Sequence, residues 1–275
     1  MEMQDISKIV EDIFSDKNVV VITGAGVSVA SGIRPFRGDG GIYEEDKTAP
    51  HMLSLSEFYF NPDEFYEFYK NNMMMDGYEP NIIHKTLARL EKLGLIKGIV
   101  TQNIDGLHQK AGSENVVELH GTGGSCFCSF CRTIHSMEDY KESDKCRKEG
   151  CKGTIRPNIV LYGEAPSSRN RRKAREMVSE ADVVIVLGSS LTVGTVTGLI
   201  WNDFLNSDTL DKQLYIMNRD KTDMDRCAKV YHGDLVEAFE QINKALDVYA
   251  PEENHEAVSE EKAVQKVKTV DENKQ

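Results

Sequence analysis

The stretch VELHGTGGSCFCSFC, residues 117–131, places His120 eight positions before Cys128, with Cys126 and Cys131 flanking that cysteine. Thiolate and imidazole are both metal ligands, and imidazole also exchanges a proton near neutral pH. The stretch can therefore serve a metal, acid–base chemistry, or both. Cys128-x2-Cys131 and Cys146-x4-Cys151 are separated by fourteen residues. Two residues between thiolates let the chain wrap one ion, and two such arms complete the tetrahedron that zinc favours. The spacing predicts a structural zinc on Cys128, Cys131, Cys146 and Cys151. Were Cys126 to replace Cys128, the first arm would open to a four-residue gap and lose its knuckle. Cys126 and Cys227 are therefore read as small packed side chains. Four sulfurs close the shell, so His120 is surplus to the metal. A surplus histidine is either a satisfied polar group or a general base with an ordinary pKa of about 6.5. Its neighbours decide between these.

A second chemical signal is TGAGVSVASGIRPFRGDGG, which starts directly after VVVIT. Gly24 and Gly26 could let backbone amides approach a pyrophosphate. A dehydrogenase pattern would continue with a third glycine, a helix and an acidic residue about 20 positions on. This chain instead runs into PFRGDGGIYEED, carrying Phe36 and Arg37. A dinucleotide site is expected, and hydride transfer loses support.

These residues need a scaffold, and the apolar runs supply one. NVVVIT leads into GAG at 24–26, KGIVT into QNID at 102–105, DVVIVL into GSS at 188–190, and QLYIM into NRD at 218–220. Short, apolar and β-branched, these runs resemble strands of a parallel sheet buried on both faces. Helical patterns at 81–94, 168–181 and 235–249 alternate with them, which predicts an open α/β sheet. Ligands of such sheets sit outside the carboxyl ends of the strands, so the four polar loops should share one edge. His120 ends the VVEL run near the same edge and is expected to be the base.

Two segments break the alternation: 42–80, with aromatics at helical spacing, and 122–156, with five of the six cysteines. Both look like insertions forming a smaller domain beside the sheet of 8–41, 81–121 and 157–249. The charged segment 250–275 lacks aromatics and reads as disordered. With 275 residues, 40% hydrophobic and 28% charged, the chain is ordinary globular material. Its net charge of −12 argues against nucleic acid as a direct partner and suits a lysine-bearing one. The polar start MEMQDISKIVEDIF, and no apolar run near the roughly 20 residues of a membrane span, predict a cytoplasmic protein without membrane contact.

GAGVSVASGIRPFRG, TQNIDGLHQKAG, ELHG, the two cysteine arms, RPNIVLYGE, GSSL and the Asn218 loop stand in the order found in sirtuins. The chain resembles that family over about residues 8–245. The resemblance implies that the large domain is Rossmann-like and discontinuous, and that the small one joins a helical module (42–80) to a zinc module (122–156). It further implies an NAD-dependent protein lysine deacylase that consumes NAD as co-substrate. Such an enzyme would release nicotinamide and deacylated lysine and leave the acyl group on ADP-ribose. Carried over by motif, His120 is the base, while Gln102 and Asn103 position the ribose and a water. Ile104 and Asp105 line the nicotinamide pocket. Gly24, Ala25, Gly26, Phe36 and Arg37 embrace the cofactor, and Gly188, Ser189, Ser190 and Asn218 hold its phosphates and adenosine. Val160, Tyr162, Gly163 and Glu164 pair with the acyl-lysine substrate as an added strand.

The chain departs from the family pattern at Arg34, where proline is frequent, and at Tyr162, where phenylalanine is usual. Members that remove succinyl groups have a tyrosine followed three residues later by arginine. Here Tyr69 is followed by Asn72, which predicts weak activity on succinyl-lysine. Met73, Met74 and Met75 read as helix packing and surface. An ADP-ribosyltransferase or NAD hydrolase, and a non-catalytic NAD-binding zinc module, stay open beside the deacylase.

Overall fold

The computed structural model describes residues 6–38, 40–206 and 212–250. Among them run β1 (Val19–Thr23), β2 (Gly98–Thr101), β3 (Val116–Glu118), β4 (Gly121–Cys128), β5 (Ile134–His135), β6 (Ile155–Ile159), β7 (Val183–Leu187), β8 (Gln213–Met217) and β9 (Lys229–Tyr231). Six of these pair in parallel in the order β3-β2-β1-β7-β8-β9.

The unbroken apolar character of β1 and β7 follows from their position. Successive side chains point to opposite faces of a sheet, and here both faces are covered. Val19, Val21 and Ile185 pack with Ile83, Leu87, Phe239 and Ile242, from helices Ile82–Lys92 and Leu235–Tyr249. Val20, Ile22 and Val184 pack with Ala174, Val178 and Val196, from helices Ser168–Ser179 and Gly194–Leu199. Each fully buried aliphatic side chain contributes on the order of 1.5–3 kcal/mol, so these central strands anchor the large layer.

Local signals start the helices. The Asn81 side chain accepts from the Ile83 amide, and Asp234 accepts from the Val236 and Glu237 amides, satisfying donors the first turn cannot pair internally.

The strand order reverses at β1. β2 and β3 build outward on one side of it, and β7, β8 and β9 on the other. The crevice beyond the ends of β1 and β7 is thus the topological switch point, the favoured ligand position of an open α/β sheet.

A second, antiparallel sheet runs β5-β4-β6, with an irregularity between Thr122 and Cys126. Its core joins Ile155, Ile159 and Leu161 to Phe58, Phe65 and Tyr69 of helices Leu55–Phe60 and Pro62–Asn72. The expected boundary at 156/157 falls inside β6. Pro157, Asn158 and Ile159 pair with Cys126, Thr122 and Gly121 and belong to the small sheet. Pro157, which has no amide hydrogen, sits where the register shifts, a position that spares the ladder. The disorder expected of 250–275 concerns residues that, beyond Ala250, lie outside the described ones. Among the described residues no helix is long and apolar enough to cross a membrane.

Candidate functional site

The turns after β1 and β7 touch backbone to backbone. The Gly24 amide donates to Leu187 O at 3.0 Å and the Gly26 amide to Gly188 O at 2.9 Å. A Cβ on Gly26 would lie 2.6 Å from Gly188 Cα, and one on Gly188 would lie 2.7 Å from Gly26 Cα and Val27 N. Gly188 also has φ +58°, which favours glycine. Only hydrogens fit between these turns, which keeps the switch point open for a ligand's phosphates.

A cleft of about 540 Å³ opens there. Gly24, Ala25, Gly26, Phe36, Arg37, Gln102, Asn103, Ile104, His120, Val160, Tyr162, Gly163, Glu164, Gly188, Ser189, Ser190 and Asn218 all line it. Asp105 lies instead in an adjoining side pocket that shares Ala25, Phe36, Asn103 and Ile104 with the cleft. Gln102 Nε2 donates to Ser189 Oγ at 2.7 Å, tying the β2 loop to the β7 loop. The volume, the glycine contact and the hydroxyls fit an extended diphosphate ligand with a sugar at each end.

His120 shows its protonation through its partner. Its Nδ1 lies 3.1 Å from Gln102 O, and a carbonyl only accepts, so the proton sits on Nδ1. Nε2 then carries a lone pair. Burial lowers the His120 pKa below its ordinary value, and the Gln102 carbonyl opposes this. The ring is therefore neutral at pH 7, the form a general base requires.

Beneath His120 lies a polar network that sequence reading passed over. Ser28 Oγ donates to Asp105 Oδ2 at 2.7 Å and accepts from Asn103 Nδ2 at 3.1 Å. His84 Nε2 reaches Ser28 Oγ at 3.4 Å, while its Nδ1 accepts from the Asn81 amide. His108 Nε2 meets Thr23 Oγ1 at 2.9 Å, and Thr23 donates to Thr101 Oγ1, which accepts from the Asn103 amide. The two imidazoles face each other at 4.8 Å. Burial lowers His84 to about 4 against the pull of Asp105, and lowers His108 to about 3. Both ends of this network fasten Asn103.

The four expected cysteines converge. The sulfurs of Cys128, Cys131, Cys146 and Cys151 lie within 4.8 Å of one another. Cys128–Cys151 and Cys131–Cys146 are each 3.7 Å apart. Tetrahedral zinc with sulfurs at about 2.3 Å needs separations of roughly 3.8 Å. The donor set therefore fits a structural zinc, and such an ion would supply only cross-linking of the two arms. Gly153 makes room, since a Cβ there would lie 2.5 Å from Cys128 Sγ. Cys126 faces elsewhere, its thiol donating to the carbonyls of His135 and Ser136 at 3.2 Å.

The Val160–Glu164 segment is less open than a free edge strand. The amides of Val160, Tyr162 and Glu164 donate to the carbonyls of His120, Leu53 and Leu161. The Leu161 amide donates to Glu164 Oε2, and Arg156 binds both Glu164 oxygens at 2.7 and 2.8 Å. Among the described residues, Gly163 (φ +92°) carries the amide of this segment left for an incoming chain. The Glu164 carboxylate serves the fold.

Sequence reading missed the opposite wall, Gly233 to Val236, together with Tyr43, Arg219 and Lys221, all of which line the cleft. One signal was available: Asp234 ahead of LVEAF reads as a helix cap at a strand end. Tyr69 is fully buried in the small core with its hydroxyl unpartnered, and Asn72 is exposed, donating to Phe68 O.

The model of the Sir2 family matches residues 24–195. The chain is 38% identical over 247 residues to an NAD-dependent protein deacetylase of Staphylococcus epidermidis, covering 88% of this chain and 98% of the relative. It is 39% identical over 238 residues to one of Clostridium perfringens, covering 84% and 95%. A solved Sir2 variant with a deacetylated p53 peptide and 3′-O-acetyl ADP-ribose is similar at a TM-score of 0.81, with 34% identity over 88% of this chain and 98% of that one. A Sir2–p53 peptide–NAD+ complex is similar at a TM-score of 0.76, with 33% identity over 89% and 100%.

Proposed function

The chain belongs to the Sir2 family, and on that footing we propose that it is an NAD-dependent protein lysine deacylase acting through His120. The observation that carries this reading is the neutral imidazole, its Nδ1 proton directed at Gln102 O and its Nε2 free at the cleft. When bound, NAD supplies an electrophilic sugar carbon with nicotinamide as the leaving group.

The chain's own residues supply the rest. The Gly24–Gly26 and Gly188–Ser190 turns hold the diphosphate at the switch point, and Asn218, Arg219 and Lys221 bound the adenosine end. Gln102 and Asn103 orient the ribose near His120, and Asn103 is itself held by Ser28. Phe36 covers the reacting face and excludes water. His120 Nε2 takes a proton from a sugar hydroxyl, and the lowered pKa of the ring keeps it ready for that step near neutral pH.

The partner is an acyl-lysine protein or peptide seated between Gly163 and the Gly233–Val236 wall, main chain to main chain. The acidic surface suits such a cationic partner and no direct nucleic-acid role. All six cysteines are unpaired, which fits the reducing cytoplasm.

The test is product analysis by mass spectrometry after incubation with NAD and an acetyl-lysine peptide. O-acetyl-ADP-ribose and free lysine peptide are expected. Free ADP-ribose without deacetylation would make the chain an NAD hydrolase instead, and NAD binding without turnover would make it a binding module.

A further inference from the structure

Tyr162 stands where the family resemblance leads one to expect phenylalanine, and its added hydroxyl has a partner. It donates to Tyr43 Oη at 3.1 Å, across 119 positions of sequence. The two residues serve different ligands of one cleft, although the segments that carry them pack in the same small core with Leu53 and Leu161. Tyr162 lies in the substrate-side segment, its amide donating to Leu53 O and its carbonyl accepting from the Leu55 amide, both at 2.9 Å. Tyr43 closes the cofactor-side loop, its amide donating to Phe36 O at 2.9 Å. Its ring lies 5.5 Å from that of Phe36, and the Arg37 guanidinium sits 5.1 Å above it. The two cofactor-facing side chains of the loop therefore share one support. Burial, and then the Tyr162 hydrogen bond, hold the Tyr43 phenol above its usual range, so it stays neutral at physiological pH.

We infer that the Tyr162–Tyr43 hydrogen bond is a latch coupling the two ligands of the cleft: a chain seated on Val160–Glu164 fixes Tyr162, which holds Tyr43 and, with it, Phe36 and Arg37 over the dinucleotide. This rests on the deacylase reading above. Both tyrosines are positioning residues, acting on the cofactor through Phe36 and Arg37. Coupling of this kind is reciprocal, so each ligand tightens the other by the same factor. Phenylalanine at position 162 would leave the pocket's shape intact and remove the link.

The test titrates a carbocyclic NAD analogue, which cannot release nicotinamide, with and without saturating acetyl-lysine peptide. The proteins are wild type, Tyr43→Phe, Tyr162→Phe and the double variant. The ratio of the two affinities is the coupling factor. Each single substitution is expected to reduce it by roughly two- to tenfold, the size of one neutral hydrogen bond. The double variant should lose no more than either single one, since one bond is at stake. Both rings are kept, so unfolding midpoints near wild type are expected. Unchanged coupling in the single variants, additive losses in the double one, or no coupling in wild type would each overturn the latch. Wild-type turnover with natural NAD is measured alongside: its absence overturns the deacylase reading, and its presence with unaltered coupling in the variants overturns the latch alone.

Discussion

Acid should destabilise this fold through two histidines shielded from solvent, the charge of His84 adding to burial in opposing a charged His108. His84 is 0% and His108 1% exposed, with their rings 4.8 Å apart. Burial holds their folded pKa values at about 4 and about 3, against about 6.5 in an unfolded chain. A depressed folded value means that the unfolded chain takes up the proton first. The stabilisation is complete above about pH 6.5 and is lost as pH falls toward the folded values. Within that window each histidine removes about 1.4 kcal/mol per pH unit. At pH 5 the loss is about 2 kcal/mol per histidine and about 4 kcal/mol for the pair, set against typical stabilities of roughly 5–15 kcal/mol. The assay is urea unfolding followed by circular dichroism at pH 7, 6 and 5, on wild type and on a His84→Gln/His108→Gln variant. The difference between the two isolates the pair. Glu118, raised by burial, and His120, lowered by burial, titrate alike in both proteins. The variant should start less stable and lose less on acidification. Equal pH slopes for the two proteins would refute the account of the buried imidazoles.

Replacing His120 with alanine should lower deacetylation by about 10²–10⁴-fold while calorimetry finds NAD binding nearly intact. In wild type the acid limb of the pH–rate profile should lie below about pH 6.5, since burial lowers His120. Elemental analysis should find one zinc per chain, and chelation should release it and sharply lower the unfolding midpoint, because the four sulfurs 3.7–4.8 Å apart have no other cross-link. Gly188→Ala should destabilise the fold by about 2 kcal/mol or more and weaken NAD binding, since φ +58° and a 2.7 Å approach to Gly26 both oppose a side chain. Succinyl-lysine peptides should turn over far more slowly than acetyl-lysine ones: Asn72 brings no guanidinium, and Arg34, in the same side pocket, is paired with Glu45 at 2.6 Å.

What the sequence determined by itself is whatever depends on near neighbours along the chain. Unbroken apolar runs such as VVVIT and VVIVL required a sheet covered on both faces, and the polar loops behind them had to share its edge. Two residues between Cys128 and Cys131 were enough to choose those sulfurs over Cys126. The order of motifs from Gly24 to Asn218 identified the family's chemistry. Tertiary structure decided what depends on atoms brought together from far apart. Gly26 and Gly188, 162 positions apart by their numbering, have to be glycine because of each other. The tautomer of His120 is set by a carbonyl 18 residues away. The tilted His84–His108 pair and the bond between Tyr43 and Tyr162 leave no local pattern at all, and of the Gly233–Val236 wall only the Asp234 helix cap leaves one. Composition and periodicity record how a segment meets water and its own next turn, whereas the direction of one lone pair or hydroxyl is fixed only when the chain has folded back on itself.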